Sequence, residues 1–398
     1  MDSAGALAGL KVIELGTMVT APLAAMLLAQ LGAEVIKVEA PAEGDPFRRT
    51  RGDTYGPNFV AYNQNKKSVL LDLKTESGRN HFFCLLAQSD VLIENFRTGV
   101  MDRLGLSQAE IIKHNPDLIH CSITGFGADG PYSNRPAYDT VGIALAGILH
   151  LYLDREKPQV LGPTLADNVT GLFACIGVLA ALRSREAMGH GQRVEVNMLE
   201  SSIALIPDAF AYHTRMEIEQ DPLSRASSSQ CFAFRCSDGR AIAVHLSVQE
   251  KFWWAFLDAI DARNTLGQDE RFLTRKLRLE NYAALSDALA EIISVNTSEF
   301  WSEAFLSSDV PFAPVNTIAE VLDDPQVKHL GTFGSAEHPL HGPVTGIRSP
   351  IRINGSRNNV VAPPALGEHS EAILRALVVS SSKSHDERSG EFVRNTNR

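Results

Sequence analysis

The stretch from Lys11 to Val38 constrains this chain more than any other. Lys11–Leu15 is a short apolar strand, and Pro22–Leu31 is an Ala/Leu/Met helix led in by Thr20 as its expected N-cap. Gly32 stops the helix, and Ala33–Val38 is a β-branched strand. Two strands joined through one short helix call for a right-handed parallel crossover, the unit of a Rossmann-like α/β sheet.

The pattern continues. Strands are expected at Ser68–Leu71, Val91–Ile93, Leu118–Ile123 and Gln192–Val196, and helices at Glu76–Gln88, Asp167–Arg183 and Met198–His213. With 398 residues the chain exceeds what one hydrophobic core usually serves, so two domains are expected. Residues 217–232 are polar and broken by Pro and Ser, which marks a linker. Beyond it, Phe232–Cys236 and Ala241–His245 read as a hairpin, and Gln249–Ile260 as a Trp/Phe-rich helix. The expected organisation is a large domain over 1–214, a smaller α+β domain over 215–325, a return to the large domain over 326–377, and a disordered tail over 378–398.

Several function classes are disfavoured. A net charge of −10 argues against a nucleic-acid partner, whose phosphates need clustered Lys and Arg. The five cysteines show no metal-type spacing and fit reduced thiols of a cytoplasmic protein. No run of about 18 uncharged apolar residues occurs, and the Asp167–Arg183 segment reads as too short for a membrane span. The opening MDSAGALAGLKVIEL lacks the basic and apolar regions of an export signal. After the first strand, ELGTMVTAPLAAM has a single glycine, so the dinucleotide fingerprint is missing. Walker A, H-E-x-x-H and G-x-S-x-G motifs are also missing.

Asp167, in PTLADNVTG, opens a strongly apolar helix. Unpaired amides at a helix start favour an anion, so the residue reads either as an N-cap or as a carboxylate nucleophile kept ionised. Arg97 and Arg103, in ENFRTGVMDRLG, follow a strand end and would suit phosphates through their guanidinium forks; a solvated surface pair satisfies the same pattern. The same two readings hold for Asn65–Lys66–Lys67 and for Lys74, with Arg48–Arg49 a weaker candidate.

Taken in order, these segments resemble the class III CoA-transferase, or CaiB/BaiF, family. The resemblance rests on GLKVIELGTMVTAPLAAMLLAQLGAEVIKVEAP, NQNKKSVLLDLKTESG, DVLIENFRTGVMDRLGL, NPDLIHCSITGFGADGPY, RPAYD, PTLADNVTG, GHGQRVEVNMLES, APVNTIAEVLDDPQVK and LGEHS. It runs collinearly over about residues 8–375. It implies a large Rossmann-like domain with a parallel sheet, a smaller α+β domain, and a homodimer of interlocked rings. It implies acyl-CoA and small carboxylic acids as substrates, with no permanently bound cofactor. Asp167 takes the nucleophile's place in A-D-N-x-T-G, and would form first a mixed anhydride and then an aspartyl-CoA thioester. Arg97 and Arg103 match positions contacting CoA phosphates or ribose. Leu71, Leu73 and Lys74 match the adenine-side strand, Asn95 and Phe96 the turn beside the pantetheine, and Tyr138 an aromatic at the pocket mouth.

Departures bear on substrate. The turn before the first helix reads Thr20–Ala21–Pro22, where many relatives have A-G-P. Val19 stands where formyl-CoA transferases carry a glutamine, and SRASSSQCF replaces their glycine-rich loop. Rival expectations are 2-methylacyl-CoA racemisation, an intramolecular CoA shift on a dicarboxylic acid, and a non-catalytic CoA-binding protein. The racemase branch carries a G-H-D histidine where this chain has Pro136–Ala137–Tyr138–Asp139. Tyrosine, with an ordinary pKa near 10, is a poor base at neutral pH.

Overall fold

The computed structural model describes residues 5–52, 55–154 and 156–377. The expected tail, 378–398, lies outside them. Contacts group the described residues into two compact units. One lies within Met1–Leu149, Gly162–Ile206 and Pro325–Arg398, the other within His150–Leu161 and Pro207–Asp324. The break falls before Pro207, where the sequence reading expected it after residue 214, and 150–161 joins the second unit.

The first unit is built on six parallel strands: β1 (Lys11–Glu14), β2 (Glu34–Glu39), β3 (Lys66–Leu70), β4 (Val91–Glu94), β5 (Ile119–Thr124) and β6 (Arg193–Asn197). Their spatial order is β3-β2-β1-β4-β5-β6, the doubly wound order whose direction reverses between β1 and β4. The α/β expectation therefore holds, with boundaries moved by a residue or two. Val12, Val35, Val91, Ile93, Ile119 and Cys121 pack one face of the sheet, while Ile13, Ile36, Val38, Val69 and Leu92 pack the other. Such double burial is why these strands read as apolar runs.

Two helices pack on the first of these faces. α1 (Thr20–Gln30) contributes Ala21, Ala24, Ala25 and Leu28 to its core. α2 (Ala166–Met188) lays Ala174, Cys175, Val178 and Ala181 into that same core. Small residues on both sides let the helices approach closely. A β-carbon on Gly171 of α2 would stand 2.9 Å from the carbonyl oxygen of Thr20. α2 ends at Gly189, whose φ of 75° is the left-handed conformation glycine allows at a helix C-terminus.

Three local expectations are corrected. Thr20 is the first helical residue of α1, not its cap; Val19 holds the cap position and no side chain caps the helix. α2 has 23 residues and is long and apolar enough to cross a membrane by length and composition. The core face just described accounts for part of its apolar letters, while Leu172, Phe173 and Ile176 are exposed. The single helix expected over Met198–His213 is two, α3 (Met198–Ile203) and α4 (Pro207–Met216), because proline cannot continue a helix interior.

The second unit holds an antiparallel sheet of β7 (Cys231–Arg235), β8 (Ala241–His245) and β9 (Phe312–Pro314). Phe232, Phe234, Ile242 and Val244 face a core shared with Trp253, Phe256, Leu285, Leu289, Trp301 and Phe305. Buried Arg278 sits over the Trp253 ring at 4.5 Å and donates to Gln230 at 2.7 Å, so its charge is shielded and its fork used.

Candidate active site

A cavity of about 310 Å³ opens at the carboxyl ends of β1, β4 and β5, beside the point where strand order reverses. Open α/β sheets bind ligands at this place, because chain segments leave in opposite directions there. Its walls are the turn Thr17–Thr20 after β1, the loop Asn95–Thr98 after β4, Thr124 and Gly125 after β5, and Asp167 with Tyr138. Five of the expected site residues thus converge: Asp167, Tyr138, Asn95, Phe96 and Arg97.

Asp167 is the second residue of α2, not its cap, which is Leu165. Its own N–H is taken by the Asp139 carboxylate, donating to Oδ1 at 3.2 Å. The expectation that helix amides hold this carboxyl ionised is corrected. Burial, and then the neighbouring Asp139 charge, push its pKa from 3.8 up to about 6. Asp139 is a partner the sequence reading missed. Thr17, Met18, Ser133, Arg135 and Met198 also line the cavity; all but Ser133 stand in the segments that carry the family resemblance, yet none was singled out as a site residue.

Asn95 is fully engaged. Its Oδ1 accepts the Thr17 N–H at 3.0 Å, and its Nδ2 donates to Thr17 O and Thr20 Oγ1, both at 2.9 Å. That uses its one carbonyl and both amide hydrogens, so its side chain holds the turn after β1. Gly16 lets that turn fold back, since a β-carbon there would lie 2.3 Å from Ala21 Cβ.

A second cavity of about 230 Å³ is lined by Leu71, Leu73, Lys74, Ala40, Gly44, Asp45 and Leu104. Thr17 and Phe96 line it as well as the first, so the two cavities share a wall. Leu71, Leu73 and Lys74 therefore gather in one place, with the Lys74 side chain exposed. Arg103 is exposed and lines neither cavity; its guanidinium lies beside Gly99, where a β-carbon would stand 3.2 Å from Nη1.

The remaining basic candidates have structural employment. Lys66 is buried and pairs with Glu14 at 2.7 Å, also donating to Pro22 O and Asn63 Oδ1. Burial and the neighbouring Lys37 outweigh Glu14 and lower its pKa to about 8. Lys67 pairs with Glu34 at the surface. Arg48 is buried, bidentate on Glu39 at 2.7 Å for each bond. These contacts correct the phosphate reading of Lys66 and Arg48.

Beneath the cavities lies a buried ion cluster that the sequence reading missed. Lys37 reaches Glu14 at 2.6 Å, Asp45 at 2.9 Å and Gly16 O at 2.8 Å. Burial alone would lower the Lys37 pKa, but Asp45, Glu14 and Glu39 more than reverse it, so the ammonium is held above its ordinary value. Asp45 is held below its ordinary range: burial opposes ionisation, and the Lys37 charge with the Phe47 and Met18 amides overcomes it. One signal was available: Glu14, Lys37, Glu39 and Lys66 are charged letters inside strands buried on both faces. Among the described residues no group of three or more His, Cys, Asp or Glu is placed to hold a metal ion.

Comparison with known proteins identifies relatives over nearly the whole chain. The model of CoA-transferase family III matches residues 7–370. Human succinyl-CoA:glutarate CoA-transferase is 31% identical over 390 residues, covering 95% of this chain and 87% of that protein. The succinyl-CoA–L-malate CoA-transferase β subunit of Chloroflexus aurantiacus is 33% identical over 387 residues, covering 94% of each. A crystal structure of a CaiB/BaiF family protein from Brucella suis superposes with a TM-score of 0.84 at 32% identity, covering 94% of this chain and 100% of that one.

Proposed function

Because this chain belongs to CoA-transferase family III, and is thereby a CoA-transferase, we propose that it moves CoA from a dicarboxyl-CoA such as succinyl-CoA to a free carboxylic acid through covalent intermediates on Asp167. The observation that carries this is the Asp167 carboxyl in the wall of a cavity at the switch point, beside Asn95, Phe96 and Arg97. The donor class is taken from the names of the relatives, two of which act with succinyl-CoA.

In this scheme an Asp167 oxygen attacks the thioester carbonyl. The C–S bond breaks and CoA leaves as thiolate, giving an acyl-aspartyl anhydride. The thiolate then attacks the aspartyl carbonyl, releasing the donor acid as carboxylate and leaving an aspartyl-CoA thioester. The acceptor carboxylate attacks that thioester, the C–S bond breaks to release CoA thiolate again, and a second anhydride forms. The thiolate closes the cycle on the acceptor carbonyl and regenerates Asp167. Splitting the exchange this way keeps each step a substitution at one acyl carbon. A carboxylate of raised pKa is the stronger nucleophile once ionised, and at neutral pH Asp167 is mostly ionised.

Leu71, Leu73 and Lys74 would receive the adenine end, Phe96 would face the pantetheine, Arg97 the phosphates, and Tyr138 the mouth. Arg103, outside both cavities, would reach the phosphates only from the rim. Among the described residues no histidine lines the Asp167 cavity, which favours transfer over racemisation. Interlocked dimerisation is part of the proposal, supported by the apolar side chains of Leu172, Phe173 and Ile176 exposed along α2. So is a cytoplasmic location, on the ground of five free cysteines.

The test is chemical trapping. Protein incubated with succinyl-CoA and then hydroxylamine should carry a hydroxamate on the peptide containing Asp167, and Asp167→Asn should not. An unmodified peptide under turnover conditions sinks the proposal.

A further inference from the structure

The turn after β1 forms part of the wall common to both cavities, and it is held in a conformation its own residues disfavour. Met18 has a φ of 64°, left-handed for a residue with a β-carbon. Contacts from outside keep it there. The Met18 N–H donates to the Asp45 carboxylate, at 3.3 Å to Oδ1 and 3.2 Å to Oδ2. Lys37 grips Gly16 O at 2.8 Å and Asp45 at 2.9 Å, and Asn95 grips Thr17 from both sides.

Of these contacts, Asp45 and Lys37 also line the Leu71–Lys74 cavity, and Asp45 does so on one loop with Ala40 and Gly44. Ala40–Glu43 is an exposed loop, while Asp45 at its end is buried. Gly44 keeps the loop tight against β2, since a β-carbon there would meet Glu39 Oε2 at 2.9 Å. A molecule filling this cavity packs on Ala40 and Gly44 and steadies the segment that carries Asp45. The carboxylate then steadies Met18, whose turn walls the Asp167 cavity.

We propose that Asp45 is a positioning residue: the nucleotide end of a CoA ester, seated against Ala40–Asp45, fixes the Met18 turn and so shapes the acyl cavity beside Asp167. The inference rests on the CoA-transfer reading and on the two cavities receiving the two ends of the ester. Its consequence is that the non-reacting end of the substrate accelerates the chemical step as well as adding affinity. The coupling between the cavities is reciprocal for binding.

The experiment uses the CoA molecule in two pieces. Acylation of Asp167 is followed in a single turnover, as thiol release, with succinyl-pantetheine as donor. Adenosine 3′,5′-bisphosphate is present or absent. In the unaltered protein the bisphosphate should raise the acylation rate by about tenfold, an ordinary size for coupled sites. Asp45→Asn should reduce that factor to near one, and should lower the rate constant with succinyl-CoA more than its KM. Met18→Gly supplies a second variant that tolerates the left-handed turn without help. It should react faster with succinyl-pantetheine alone and respond less to the bisphosphate. No acceleration in the unaltered protein, for whatever cause, overturns the inference, as does undiminished acceleration in Met18→Gly or in folded Asp45→Asn. If succinyl-CoA itself fails to acylate Asp167, the transfer reading falls with it; if it acylates normally and only the acceleration is missing, the inference alone fails.

Discussion

The backbone N–H of Asp167 donates to the carboxylate of Asp139 at 3.2 Å, which sets two acidic side chains together at the start of α2. Burial first, and then this neighbouring charge, raise the Asp167 pKa to about 6. A nucleophilic carboxylate works only when ionised. The rate of acylation should therefore fall as pH drops through about 6. Asp139→Asn keeps an oxygen for the N–H but removes the charge, so the midpoint should move to lower pH. It should stay above 3.8, because burial remains. The pH profiles of single-turnover acylation for the two proteins check this. Stability runs the opposite way with pH. A carboxyl with a raised folded-state pKa destabilises the fold above about pH 6, and that penalty is relieved as pH falls toward 3.8.

Asn95→Ala removes three hydrogen bonds from the turn after β1, leaving the Thr17 N–H and carbonyl unpaired. Each lost bond is worth about 1 kcal/mol net, and more where a buried group is orphaned, so a loss of about 3 kcal/mol or more is expected. Acylation should slow as well, since the turn walls the cavity. Denaturant melts and single-turnover rates measured on one preparation separate the two effects.

Lys66 and Lys67 are adjacent in sequence and opposite in consequence. Lys66 is buried, and removing it as Lys66→Met leaves Glu14 to Lys37 alone, at an expected cost of about 3–5 kcal/mol. Lys67 and Glu34 are 45% and 39% exposed, so Lys67→Met should cost under about 1 kcal/mol. Paired urea titrations decide. A small effect at Lys66 would remove the buried cluster from the account of stability.

Arg97 lines the Asp167 cavity and Arg103 lines neither cavity. Arg97→Ala should raise the KM for an acyl-CoA by about tenfold or more, as expected for a lost charge-assisted hydrogen bond. Arg103→Ala should raise it less. Both effects should shrink at high salt, and steady-state kinetics at two ionic strengths test the order.

Much of this protein was legible in its letters. Local pattern produced the six parallel strands and three of the helices before β6, because burial on both faces of a parallel sheet writes itself as β-branched runs, but it missed the short helices Pro57–Tyr62, Gln108–His114 and Asp139–Leu145. It failed where a local signal competes with context. Thr20 has the letter of an N-cap but lies one residue inside α1, where Asn95 uses its hydroxyl. Asp167 likewise has the letter of a cap, yet it is the second helical residue of α2 and stands beside another acid. Pro207, which splits the expected long helix, is a breaker that the letters alone display.

The sequence by itself determined the α/β class, the family resemblance and the prominence of Asp167, since strand periodicity and motif spacing are properties of neighbours along the chain. Only the tertiary structure decided which charges serve the site. Lys37, Asp45, Glu14 and Lys66 come from four separate segments and meet beneath the cavities, where burial makes each depend on the others. The same holds for the Asp167 carboxyl. Its place at a helix start was visible locally, but its titration is set by burial and by Asp139, which lies 28 residues away in sequence.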